Sequence, residues 1–515
     1  MFNRNKRTEN TLKSSAVGTT TNILSMLFAF VYRTAFIKIL SADYLGLSGL
    51  FSNVLSIISL AELGISSAIV FRLYKPLSEG DAESVGRLMN YFKSAYRIMG
   101  ITVLFLGMLF YPFVDHLVKD PGEVPADISL RLVYLFYLAQ TISTYFFAYK
   151  QTLLVADQRQ YAASFCNFLL GIAQYSLSLI LLLAFRKYLV TLIANTVVNL
   201  VGNYLISIWV TKKYPDVFRV REKPEPAIRK EIIGETKALL YHKVGTTVLI
   251  ATDNIVITRW VSLASTGLYA NYSLILASLG GILQQMIGSA RASIGNAYVE
   301  LNEKENYIVF KRLLFLNLWV VSGATACLYL LFNEFISAWI GNNMTFGNMT
   351  VICFCIQFWL GQIRCIQGAY IESCGLYTKD RIRPFIEAAI NLSVSILLAI
   401  RIGVTGVILG TIISHLATCS WRQPFLLYKY VFKKEKLTDY LFMSVKFILF
   451  MIAVCMIINY IKIFAGVRIN NLFDWFVEAI IIVLIYCLLS IPVFCRSSEF
   501  NYYLDYAKNM LKKGR

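Results

Sequence analysis

The residues best equipped for chemistry in this sequence sit inside long apolar blocks, where charge is costly. Arg33, Glu62, Asp253, Arg259 and Arg364 each fall within such a block. A charged side chain near the centre of a membrane helix costs about 2.5–3.5 kcal/mol on insertion scales. Each therefore needs a structural partner or a function. A guanidinium presents a fork of donors matched to phosphate oxygens and keeps its proton, so arginines in a low-dielectric cavity suit an anionic head group. A short acidic chain at mid-depth suits a cation or proton, taken up on one side and released on the other. Glu62 and Asp253 are the candidates for that ion.

These charges belong to polar stripes. Thr21, Ser25, Ala29 and Arg33 recur every four residues, which puts them on one helical face. Ser52, Ser56, Ser59, Glu62 and Ser66 make a second stripe. Thr246, Asp253 and Trp260 make a third, and Asn271, Ser278 and Gln285 a fourth. Gln357, Gly361, Arg364, Gly368 and Glu372 make a fifth. Two readings stand for each. Small residues and serines at helical spacing pack helices together; the same stripes can line a wet interior. Arg33 can snorkel toward the interface or pair with Glu62. Arg259, His415, Lys446 and Glu478 lie near helix ends or are isolated, which favours structural roles.

Motifs for catalysis are missing from the sequence. It holds no Walker A sequence, no G-x-S-x-G elbow and no H-E-x-x-H site. Ten cysteines, among them Cys166, Cys353, Cys355 and Cys419, lie mostly within apolar blocks and read as small buried hydrophobes. There is no CxxC and no Cys/His cluster at metal-ligand spacing. The expectation is a protein that is not an enzyme and has no resident metal.

The elements that position these residues are long. Of 515 residues, 57% are hydrophobic and 15% charged, with a mean hydropathy of +0.60; soluble chains are closer to half apolar and a quarter charged. The apolar residues come in blocks of roughly 18–25, each able to cross a hydrocarbon core of about 30 Å. Fourteen are expected. The first six cover 15–39, 46–71, 95–114, 131–149, 161–185 and 188–210. The next six cover 240–260, 265–290, 311–332, 347–370, 385–400 and 403–425, and the last two 441–463 and 474–495. The first block, after MFNRNKRTENTLKSS, lacks a cleavage pattern and reads as a retained helix.

The formal charge of +19 is distributed by side rather than by patch. Both termini and the gaps near 72–94, 150–160, 211–239, 291–312, 371–384 and 426–440 carry about 35 of the 49 basic residues, and the opposite set about 9. This places both termini in the cytoplasm and accounts for the charge without nucleic acid. An attraction to anionic lipid stays open. The basic, proline-bearing gap 211–239 reads as a linker. It separates a six-helix bundle over 1–210 from a second over 240–425, with two further helices and a tail over 426–515.

A weak repeat agrees with that division. Val17-Gly18-Thr19-Thr20 opens the first block and Val244-Gly245-Thr246-Thr247 the seventh. Each block is followed by a short turn and Gly-Leu, as Gly46-Leu47 and Gly267-Leu268. Repeats starting on one side are related by an axis along the membrane normal.

Several stretches resemble a known family. FVYRTAFIKILSADYLGLSGLFSNVLSIISLAELGISSAIVFRLYKPLSEGD (30–81) is similar to the opening of bacterial polysaccharide flippases of the multidrug/oligosaccharidyl-lipid/polysaccharide exporter (MATE-like) superfamily. YKQTLLVADQRQYAASF (149–165) and TDNIVITRWVSLASTGLYANYSLI (252–275) look like further landmarks. The resemblance implies an all-α integral membrane fold: two six-helix bundles facing a central cavity, plus two C-terminal helices. It implies passage of an undecaprenyl-diphosphate-linked oligosaccharide from the cytoplasmic to the outer leaflet of a bacterial cell membrane, with the tail left in the bilayer. Alternating access coupled to an H+ or Na+ gradient would drive it, with polysaccharide polymerase and export machinery as partners. Matching positions are Arg33, Glu62, Asp253 and Arg259, and then Arg72, Arg97, Arg291 and Arg364. A small-molecule exporter and a membrane-embedded polymerase are the alternatives.

Overall fold

The computed structural model describes residues 4–59, 65–376, 379–466 and 471–513. Among them there is no β-strand. The chain divides into two compact units, Met1–Gly267 and Leu268–Arg515.

The first unit contains α1 (Arg4–Ile39), α2 (Ala42–Ile58), α3 (Ile65–Glu79), α4 (Ala82–Phe110) and α5 (Leu130–Phe147). It continues with α6 (Gln151–Ala156), α7 (Gln160–Phe185), α8 (Tyr188–Lys213), α9 (Pro215–Arg219) and α10 (Pro226–Val256). Helix α11 (Leu263–Glu300) begins in it. Within this unit α1 lies along α7, α7 and α5 pack on α8, and α10 packs on α2 and α3. The second unit holds the rest of α11 and α12 (Glu303–Ile340), α13 (Asn348–Ser373), α14 (Arg383–Ala417) and α15 (Cys419–Tyr430). It ends with α16 (Leu437–Ala465), α17 (Leu472–Phe494) and α18 (Ser498–Lys513). There α13 packs against α12, α14 and α15, and the late helices α16 and α17 lie against α12.

Local sequence sets many of the boundaries. Asp81 caps α4 by accepting from Ser84 N at 2.9 Å. Asn302 caps α12 through Glu305 N at 3.0 Å, with Glu303 and Glu305 in the positive first turn. Helix α12 stops at Gly341, whose φ of 105° few other residues tolerate.

Among the described residues, ten helical stretches are long and apolar enough to cross a membrane, and the exterior fits a multi-pass membrane protein. Phe442, Phe464, Phe473 and Leu397 stand exposed on those stretches or at their ends. One stretch, Arg383–Tyr430, supplies two passes. At Ile402-Gly403 the backbone leaves helical geometry, and α14 folds back on itself. Asn391 Nδ2 donates to Thr411 Oγ1 at 2.8 Å, and Ser395 Oγ to the Val407 carbonyl at 3.2 Å. The two arms match the expected blocks 385–400 and 403–425. A shorter apolar helix, Ala42–Ile58, stands beside these ten.

Of the block expected over 46–71, α2 covers Ala42–Ile58 and α3 covers Ile65–Glu79, while residues 60–64, with Glu62 of the serine stripe, lie outside the described residues. One local expectation is corrected. The helix that carries Asp253 changes pitch, with a π turn over Ile257–Val261. The wider turn adds a residue and rotates the residues after it by about 100°. Asp253 and Trp260 therefore do not share the face that their seven-residue spacing implied.

Candidate functional site

The repeat glycines meet at a close helix crossing. A Cβ on Gly46 would lie 2.3 Å from the Leu263 carbonyl oxygen, and one on Gly267 would lie 2.0 Å from that of Ala42. Each glycine faces the residue four positions before the other, which is the reciprocity of a two-fold contact. Only hydrogen fits at such an approach. Beside it, Glu123 Oε2 accepts the Leu263 amide at 2.7 Å, at the start of α11, and Thr258 and Thr266 share a hydroxyl bond of 2.8 Å.

The candidate charges of the first unit are spread over several helices. Arg33 on α1 is half-buried, with Nη2 shut off from solvent. Thr21, on its stripe, is buried and bonded to the Val17 and Gly18 carbonyls of its own helix. Arg72 on α3 pairs with Glu231 of α10 at 2.8 Å. Arg97 on α4 and Arg259 in the π turn are exposed. Asp253 on α10 is buried, 5% exposed. Glu62 lies outside the described residues, as does the side chain of Arg291.

In the second unit Arg364 is part of an ion network that the sequence reading did not assemble. Arg364 Nη1 on α13 reaches Glu387 Oε1 at 3.1 Å, His415 Nδ1 at 3.1 Å and Cys419 Sγ at 2.9 Å. Glu387 also takes Arg383 Nη1 on its other oxygen, and the Cys419 thiol donates to its Oε1 at 3.0 Å. Arg383 Nε donates to Asp380 Oδ2 at 2.7 Å. Two carboxylates and two guanidiniums thus balance in a nearly dry site. Asp380, Arg383, Glu387, His415 and Cys419 are all buried, whereas the Arg364 side chain stays 30% exposed. His415, expected to be isolated, is a member of this network.

Glu387, His415 and Cys419 bring an oxygen, a nitrogen and a sulfur within 4.8 Å of one another, a ligand set for a divalent ion by type. Arg364 Nη1 stands 2.9–3.1 Å from all three atoms, and Arg383 Nη1 3.0 Å from the sulfur. The guanidinium N–H groups take both the space and the lone pairs. The chemistry of this cluster is ion pairing, with one arginine edge left open.

The network hides in the sequence because its members are far apart. Arg364 and His415 are separated by 51 positions and meet only because α14 doubles back. The usable signals were the Asp380, Arg383, Glu387 spacing at a helix start and the His415, Cys419 pair one turn apart. Of the other helix-end charges, Glu478 and Lys446 have partners within the second unit. Lys462 of α16 binds Glu334 of α12 at 2.9 Å and approaches Glu478 of α17 at 2.7 Å. Lys446 Nζ donates to the Val493 carbonyl at 3.2 Å.

Solved membrane transporters share this helical fold. Among solved structures, the chain is similar to the lipid II flippase MurJ in an inward-closed conformation. The TM-score is 0.66 at 14% identity, covering 93% of this chain and 99% of that one. An inward-facing multidrug-resistance MATE family transporter of the MOP superfamily follows at 0.59 and 13%, covering 81% and 99%. The eukaryotic MATE transporter AtDTX14 stands at 0.51 and 12%, covering 86% and 98%. At such identities the likeness is one of fold. No protein-family model and no curated protein sequence matches the chain.

Proposed function

We propose that the chain is a flippase that carries an undecaprenyl-diphosphate-linked oligosaccharide from the inner to the outer leaflet of a bacterial cytoplasmic membrane, for surface polysaccharide assembly. The observation that carries this reading is the fold match along 93% of the chain to a lipid II flippase. The arginine-bearing spans support it, because a lipid-linked diphosphate is an anion that must leave water while its tail stays in the bilayer. It acts as a transporter rather than an enzyme, with both termini cytoplasmic and the repeats 1–210 and 240–425 as the moving halves. The flipped glycan then passes to polymerase and export machinery.

Arg33, Arg259, Arg364, Arg72, Arg97 and Arg291 are the proposed contacts for the diphosphate and its neighbours. Arg72 and Arg364 already hold carboxylates, so they bind phosphate by exchanging one acidic partner for another, which keeps each charge compensated. Glu62 and Asp253 take the coupling ion, H+ or Na+. A buried aspartate at mid-span gains most from such an ion.

The decisive experiment is gene deletion followed by analysis of lipid-linked intermediates. Accumulation of an undecaprenyl-diphosphate glycan on the cytoplasmic leaflet is the expected outcome. Arg33→Ala and Asp253→Ala should each reproduce it at normal protein levels. Unchanged lipid intermediates together with lost efflux of cationic dyes would replace this reading with that of a small-molecule exporter.

A further inference from the structure

The first unit contains a cavity of about 670 Å³ whose described lining holds none of the candidate charges. Its walls come from α3, α6 and α7. Tyr74 and the exposed ring of Phe71 form one side, and Gln151, Thr152, Gln160 and Asn167 contribute to the other. The volume lies in the range of small-molecule sites, about 300–1,000 Å³. Three features give it a chemical character.

First, the polar wall is uncommitted. Gln151, Thr152, Gln160, Ser164 and Asn167 make no side-chain hydrogen bond to the described chain, while other amides and hydroxyls nearby are spoken for. Tyr214, for one, binds Asp157 at 2.6 Å. Asn167 lies within the apolar stretch Gln160–Phe185 and is exposed there. A bare amide on a span fits a water-filled recess and not lipid.

Second, among the described residues the lining carries no charged side chain. Of the cations close in sequence to the lining, Arg159 holds Asp157 at 3.0 Å and Lys150 donates to Thr211 at 2.6 Å. A phosphate or carboxylate finds no counter-charge among the described residues of the wall. Third, amides and hydroxyls offer donor and acceptor together, which matches the paired groups of a polyol. An aromatic side beside them suits the C–H face of a pyranose ring.

We propose that this cavity is a sugar-binding vestibule that takes uncharged sugar residues and rejects acidic ones. The positive-inside assignment puts its residues near the cytoplasmic ends of their helices, where a lipid-linked glycan would first arrive. The proposal rests on the flippase reading for its physiological ligand, but its chemistry can be tested without that ligand.

The test uses the full chain in lipid nanodiscs free of glycoside detergent. Saturation-transfer NMR reads three probes: a neutral N-acetylhexosamine disaccharide, a glucuronate-containing disaccharide and inorganic pyrophosphate. The neutral disaccharide should bind at millimolar concentration, with the glucuronate sugar at least about tenfold weaker. Tyr74→Ala and Gln160→Leu should each weaken the neutral sugar about fivefold or more, the worth of one stacking or hydrogen-bonding contact. Gln160 is exposed, so its variant keeps the fold, and an unchanged melting temperature verifies this. Absent neutral-sugar binding, equal binding by the variants, or preference for the acidic sugar would each overturn the proposal. The pyrophosphate arm separates the two readings. Pyrophosphate binding that falls with Arg33→Ala keeps the flippase reading even if the vestibule fails, and sugar binding without pyrophosphate binding does the reverse.

Discussion

The glycine crossing of the first unit and the ion network of the second both hold helices at close range, by opposite means. At Gly46 and Gly267 two backbones touch because side chains are missing, with carbonyl oxygens 2.0–2.3 Å from where a Cβ would stand. At Glu387 three helices are joined because charges are present and matched. The first contact depends on shape alone and has no proton or counter-ion to lose. The second depends on a carboxylate that serves Arg364, Arg383, His415 and Cys419 together, so a change at one partner is felt by all. Shape sets a fixed approach between helices, whereas a balanced set of charges can exchange partners. The solvent-open member is Arg364, which is 30% exposed while Glu387 is 3% exposed.

The largest effect should come from the centre of the charged contact. Glu387→Ala leaves Arg364 and Arg383 without their shared carboxylate in a dry site, and should cost about 3–5 kcal/mol. Thermal unfolding in nanodiscs measures this. A loss under about 1 kcal/mol would mean that water reaches the network and that the contrast with the glycine crossing is overstated. Next comes Gly267→Ala, where the new methyl must displace the Ala42 carbonyl, at a cost of about 1–3 kcal/mol. Its penalty should be the same at low and high salt. A penalty that shrinks with salt would show that charge also holds the crossing.

Arg364→Lys sharpens the comparison. It preserves the charge but loses the fork that reaches Glu387, His415 and Cys419 from one nitrogen. Stability should fall by about 1–2 kcal/mol, clearly less than in Glu387→Ala, while lipid-linked intermediate accumulates as in Arg33→Ala. Full transport by the lysine variant would assign Arg364 a purely structural role.

The range of each interaction decided how much of this was legible. The apolar blocks and both arms of the 383–430 stretch could be read because hydropathy is local. Gly46 and Gly267 could be paired as repeats because the motif around them recurs, although their mutual contact could not. The ion network escaped because Glu387 meets Arg364 from 23 positions away and meets Cys419 from 32, the latter across a reversal at Gly403. The π turn after Val256 escaped because a seven-residue spacing presumes a uniform pitch. The vestibule escaped because Gln151, Gln160 and Asn167 look like ordinary loop and helix polar residues until α3 is placed beside them.

The smallest effect is expected at the rim of the same network. Arg422 Nε lies 3.9 Å from Asp380 Oδ1, and Arg422 Nη2 also donates to the Lys379 carbonyl at 3.2 Å. Its side chain is 38% exposed, so water screens the attraction. Asp380 already has Arg383 at 2.7 Å on its other oxygen. Arg422→Gln should therefore change stability by no more than about 0.5 kcal/mol, and in a double-mutant cycle with Glu387→Ala the two effects should nearly add. A coupling above about 1 kcal/mol would make Arg422 a working member of the network, and its solvent-open edge would then consist of two arginines in place of Arg364 alone.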